Sequence, residues 1–108
     1  TPYEQQMRTL QEYIKIHCVH PISISDLCKV LAVSPQHVCR ILKKTLGIHP
    51  TEYINQVRIE LACSMLLYSN LSIKEIGEKC GFQNTSYFCK KFKQFEHLTP
   101  LEYRNSVI

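Results

Sequence analysis

No apolar run in these 108 residues approaches the length of a membrane span, so no transmembrane helix is expected. No basic segment leads into an apolar stretch near the N-terminus, so no secretory signal is visible. Thiols of a protein with no sign of secretion are expected to stay reduced, in the cytoplasm. There are six, at positions 18, 28, 39, 63, 80 and 89, and no two have C-x-x-C spacing. A zinc site is therefore not expected, and nothing else suggests a metal or a cofactor. The chain opens on Thr1-Pro2-Tyr3 without methionine, which reads as a fragment of something longer. The alternating apolar period of strands is nearly absent. Acidic residues are missing from two long stretches, between Asp26 and Glu52 and between Glu78 and Glu96.

Those two stretches hold the basic residues that matter most. The first carries Lys29, Arg40, Lys43 and Lys44, the second Lys79, Lys90, Lys91 and Lys93. The net charge of +4 is modest, but it is concentrated in two islands. Two solvated helix faces would give the same charge pattern, so charge alone does not decide the matter.

Helical spacing dominates the apolar residues, and the class is all-α. Met7, Leu10 and Ile14, with Tyr3 and Cys18, form one stripe over 3–18, ended by His20-Pro21. Ser23 and Asp26 open a short helix with Leu27, Val30 and Leu31 inward. Ser34-Pro35 starts the next, with Val38, Ile41 and Leu42 inward and Gly47 as a left-handed stop. Pro50 opens a longer helix to about Tyr68, with Tyr53, Ile54, Val57, Leu61, Ala62, Met65 and Leu66 inward. The pattern then returns. Ser72 and Glu75 form a capping box before Ile73, Ile76 and Cys80, and Gly81-Phe82 closes that helix. Asn84 caps a helix over about 85–95 with Phe88, Phe92 and Phe95 inward, and Thr99-Pro100-Leu101-Glu102 opens a last short one. Cys28, Cys63 and Cys80 fall on apolar faces and read as small core residues.

Residues 22–53 overlay 71–103. Before the turn the offset is 49, pairing Ser23 with Ser72, Ile24 with Ile73 and Leu27 with Ile76. After one inserted residue it is 50, pairing Val38 with Phe88, Cys39 with Cys89, Arg40 with Lys90, Lys43 with Lys93 and Tyr53 with Tyr103. Two copies at this period indicate an internal duplication and not a solenoid.

Each copy is a short helix, a tight turn and a second helix with a basic outer face, which is the helix-turn-helix arrangement. Such a unit puts its second helix into the major groove of double-stranded DNA. In the first copy the outward residues are Gln36, His37, Cys39, Arg40, Lys43 and Lys44. Arg40 can grip guanine O6 and N7 together, or touch only phosphate or solvent, and Gln36 suits adenine. In the second, Thr85, Ser86, Cys89, Lys90 and Lys93 face out. Lys90 lacks the planar fork of Arg40, so weaker base reading is expected there. Tyr87 either gives its hydroxyl to a phosphate or packs at the edge.

The stretch LSIKEIGEKCGFQNTSYFCKKFKQFEHLTPLEYR, residues 71–104, resembles the signature of AraC/XylS-type transcription regulators through its GF…SYF…FK…TP..YR skeleton. SPQHVCRILKKTLGIHPTEYI and RIELACSMLL resemble that family's first helix-turn-helix and connecting helix. The resemblance implies seven helices: residues 1–49 with the first subdomain, a rigid linker helix at 50–69, and the second subdomain at 70–108. It implies base contacts from Gln36, Cys39 and Arg40, and from Thr85, Ser86, Cys89 and Lys90. His37, Lys43, Lys44, Tyr87 and Lys93 would serve the DNA backbone. It also implies transcription activation through RNA polymerase, and a separate sensor or receiver domain of the same chain. Four positions depart from the family pattern: His97 stands where glycine is usual, His49 replaces a hydroxyl cap before Pro50, at an expected cost of about 1 kcal/mol, and Cys39 and Cys89 stand on the DNA face where larger polar readers are common.

Two other readings compete. A helical protein-interaction module without DNA contact would favour alternating Glu and Lys on its outer faces, and these helices have none of the former. A thiol enzyme could use His17-Cys18 or His37 with Cys39, but no base and orienting group assemble from the local pattern, so no enzyme is expected.

Overall fold

Seven helices follow one another in the computed structural model, which describes residues 2–106. They are α1 (Pro2–His17), α2 (Ile24–Leu31), α3 (Pro35–Leu46), α4 (Pro50–Tyr68), α5 (Ile73–Lys79), α6 (Thr85–Glu96) and α7 (Pro100–Ser106). No strand occurs among the described residues, and no helix there is long and apolar enough to cross a membrane. The chain forms two units, Thr1–Ile54 and Asn55–Ile108, with the division inside α4.

The helix starts follow side-chain chemistry. Ser23 and Ser72 each accept a backbone N–H three residues on, while Asp26 and Glu75 reach back to the serine N–H. Thr99 and Glu102 make the same reciprocal pair at α7. These bonds hold the Asp26, Glu75 and Glu102 carboxyls below their usual range. The start of α4 differs from expectation. His49 Nδ1 accepts the Thr51 N–H at 3.2 Å, so the imidazole supplies the acceptor that the missing hydroxyl would have given. At the other end of α4, where the helix has no basic residue of its own, Arg104 donates to the carbonyls of Leu66 (3.1 Å) and Ser69 (3.3 Å).

The two turns show where the duplication slips. In the first, Val33 N–H bonds Cys28 C=O and Ala32 is left-handed at φ 56°. In the second, Phe82 N–H bonds Gly77 C=O and Gly81 has φ 101°. Both are six-to-one closures of the same kind at offset 49, so the added residue is Gln83, between Phe82 and the cap Asn84. The exits of α3 and α6 also match: Gly47 (φ 70°) and His97 (φ 66°) are both left-handed caps.

In the first unit the buried apolar residues are Met7, Leu10 and Ile14 of α1, Cys18 just after it, Leu27 of α2, and Val38, Ile41 and Leu42 of α3, with Ile54 of α4. The second is built on Ile59, Ala62, Leu66, Ile76, Cys80, Phe82, Phe88 and Phe92. Ile59 was not on the expected inward list of α4. Cys28 and Cys63 are only half-buried, whereas Cys18 and Cys80 are core. α5 and α6 approach closely at Gly77, where an added Cβ would lie 2.8 Å from Phe88 Cδ2. The equivalent pair in the first unit is Cys28 and Val38, with the bulk shared the other way.

Gly77→Ala is expected to destabilise the fold by about 1 kcal/mol, because the strain against the buried Phe88 ring outweighs the helix-propensity gain. His97→Gly and Ala32→Gly should each add up to about 1 kcal/mol by relieving left-handed backbone. Urea melts measure all three. Acid titration is a further check. The three capping carboxylates have lowered pKa values, so their contribution is complete above the ordinary carboxyl range of about 4 and is lost as pH falls through the lowered folded values. A urea midpoint no lower at about pH 3 than at about pH 6 would contradict it.

Candidate nucleic-acid interface

The rotation of α3 is set by its apolar stripe. Val38, Ile41 and Leu42 are fully buried, which turns Gln36, Arg40, Lys43 and Lys44 outward, all exposed. Cys39 and His37 flank the stripe and are half-buried. Ser34 accepts the His37 N–H at 3.2 Å and Pro35 opens the first turn.

The second unit repeats this with larger core residues. Phe88 and Phe92 are buried, and Thr85, Ser86, Tyr87, Lys90 and Lys93 are exposed. Asn84 Oδ1 accepts the Tyr87 N–H at 2.9 Å. Cys89 is half-buried against the second core, and burial pushes its thiol up. Lys91, which the sequence pattern left unassigned, places its ammonium 5.7 Å from the centre of the Tyr87 ring.

Charge at the helix starts separates these two helices from the others. α1, α2, α4, α5 and α7 each carry an acid in the first turn: Glu4, Asp26, Glu52, Glu75 and Glu102. α3 and α6 carry none. An acid there is favourable to a helix, since it faces the positive end of the dipole. Leaving it out forgoes that gain and keeps the helix start open to an external anion.

Both helices are also tied at their third residue. His37 Nε2 lies 3.3 Å from Gln6 Oε1 of α1, and the Tyr3 ring stands edge-on at 6.0 Å. Tyr87 accepts at its hydroxyl from Asn55 Nδ2 of α4, 3.1 Å away, beside the Phe82 ring at 6.1 Å. Gln6 and Asn55 were not singled out from the sequence. The available signal was position: Asn55 is a polar residue between Ile54 and Val57 on a mostly apolar face, and it stands 49 residues after Gln6.

Cys18 and Cys80 are buried in the two cores, and the other four thiols are half-buried. Cys63 Sγ donates to Glu96 Oε1 at 3.2 Å, and burial first, then that carboxylate, push its pKa up to about 12. A thiol so protonated is a poor nucleophile at neutral pH. Iodoacetamide on the folded chain at pH 7–8 is therefore expected to leave Cys63 unmodified by peptide mass mapping. Labelling at the rate of the unfolded chain would show that the bond to Glu96 does not hold.

The model of a helix-turn-helix domain family matches residues 27–106. The chain is 33% identical over 107 residues to the regulatory protein PocR of Salmonella typhimurium, an alignment covering 99% of this chain and 35% of PocR. It spans about a third of the length of the first curated relatives it matches. Among solved structures, the C-terminal domain of AraT, a response regulator from Geobacillus stearothermophilus, is 29% identical with a TM-score of 0.87, covering 100% of this chain and 88% of that one. A transcriptional regulator from Chromobacterium violaceum, described as AraC-type and DNA-binding, is 25% identical with a TM-score of 0.91 over 95% of this chain and 92% of that one. With seven helices in this order and two turns of one kind, the chain belongs to the helix-turn-helix family of AraC-type transcription regulators.

Proposed function

We propose that this chain binds double-stranded DNA sequence-specifically, with α3 and α6 as recognition helices entering successive major-groove segments, and so regulates transcription. The observation that supports this most directly is the missing acid. Among the described residues, the two helices without one in the first turn are the second helix of each helix-turn-helix, and both have basic outer faces. A phosphate backbone repels an acid at that place and is attracted by lysines further along.

Base edges are read by Gln36, Cys39 and Arg40 in one unit and by Thr85, Ser86, Cys89 and Lys90 in the other. Arg40 and Lys90 are exposed and long enough to reach into a groove. The half-buried Cys39 and Cys89 suit a short apolar contact, such as a thymine methyl group, better than a polar one. His37, Lys43, Lys44, Tyr87 and Lys93 hold the phosphates. The longer relatives support a further sensor or receiver domain in the same protein, and AraT is described as a response regulator. Activation through contact with RNA polymerase completes the proposed role.

The logarithm of the binding constant for duplex DNA should fall linearly with the logarithm of salt concentration. Arg40→Ala should cost about 1–3 kcal/mol at a selected site and relax base choice at one position. Lys43→Ala should weaken every sequence alike and lower the salt slope by about one. Titration of selected and random duplexes measures both. Wild-type behaviour in both variants, or no salt dependence in the parent, would favour a protein-interaction module.

A further inference from the structure

We propose that Gln6 and Asn55 are paired positioning residues: each holds the polar ring at the third residue of a recognition helix, His37 or Tyr87, against the DNA backbone, with the Tyr87 hydroxyl ready to donate to a phosphate. This rests on the DNA-binding reading above.

The two tethers occupy matching places in the duplication. His37 and Tyr87 are 50 residues apart, each three residues after the cap that accepts its backbone N–H. Gln6 and Asn55 are 49 residues apart, in α1 and α4. In α2, α5 and α7 the third residue is instead a carboxylate that turns back onto its own cap. In α3 and α6 that place is given to a ring, and the ring is bonded to an amide from another helix of its own unit.

Asn55 is only 3% exposed, between the buried Ile54 and Val57. Burying an amide costs free energy that an apolar residue in the same place would not incur. The tyrosine bond is what this amide supports. Because the phenol oxygen accepts from Asn55, its own proton stays available for an acceptor, and accepting makes the phenol a better donor. The ring already lies beside Phe82 and Lys91, and 43% of the residue is exposed. A donor ordered before binding loses less entropy on contact. In the first unit the approach of His37 Nε2 to Gln6 Oε1, 3.3 Å, orients the imidazole in the matching place.

The test is a double-mutant cycle on the 108-residue chain, titrated with a mixed-sequence duplex of ~30 base pairs, about three helical turns, at low ionic strength. Tyr87→Phe is expected to weaken binding about tenfold, the scale of one hydrogen bond to a charged group. Asn55→Leu should do the same, and the double variant should bind no worse than either single within about twofold. The salt slope should not change, because a neutral hydroxyl releases no counterion. Were Asn55→Leu to lose its cooperative melt, Asn55→Ala would serve in the same cycle. A merely structural Asn55 would lower melting temperature while its penalty on affinity multiplied with that of Tyr87→Phe, to about a hundredfold; that result overturns the proposal. So does wild-type affinity in Tyr87→Phe. If the parent binds with a salt slope that Lys43→Ala reduces while Tyr87→Phe is silent, the tether alone falls. If the parent does not bind the duplex, the tether and the DNA reading fall together. Gln6→Leu and His37→Phe are expected to couple in the same way, and additivity there would end the claim of a duplicated device.

Discussion

The burial of one narrow apolar stripe on each recognition helix governs everything outward of it. Val38, Ile41 and Leu42 in α3, and Phe88 and Phe92 in α6, are fully removed from solvent. A helix pinned along such a stripe cannot rotate without exposing it, at roughly 1.5–3 kcal/mol per large side chain. Its opposite face is therefore committed, and in both units that face holds the basic residues. The same pinning brings the third residue of each helix beside a neighbouring helix, where Gln6 and Asn55 meet it.

The duplication keeps this constraint while changing the residues that meet it. Where the second unit sets Gly77 against Phe88, the first has Cys28 and Val38, so volume lost on one helix is restored on the other. Both turns close with a left-handed residue, but Ala32 adopts that backbone against its preference and Gly81 does so freely. The extra Gln83 follows the closure, where it lengthens the loop without disturbing the bond from Phe82 to Gly77.

Specialisation shows in what the helix starts give up. Acids in the first turn stabilise five helices, three of them through reciprocal bonds with a serine or threonine cap. α3 and α6 keep the cap and drop the acid. Local stability has been traded for an electropositive start at the two places that the DNA-binding reading requires.

Local rules made much of this protein legible from its sequence. Apolar spacing, Ser and Asn caps, Pro at first turns and Gly47 located the helices, because each acts within a few residues of itself. The repeat and the two acid-free islands pointed to the outward faces of α3 and α6, because a helix has only one face left once its stripe is assigned. What tertiary structure alone decided depends on partners distant along the chain. It put Cys63 against Glu96, Arg104 on the carbonyls ending α4, and Asn55 on Tyr87. It also left Cys28 and Cys63 half-buried and buried Ile59, since depth depends on which neighbours arrive and not on hydrophobic period alone. A polar residue on an apolar face has no readable purpose until packing supplies its partner, and that is why the amide tethers became visible only in three dimensions.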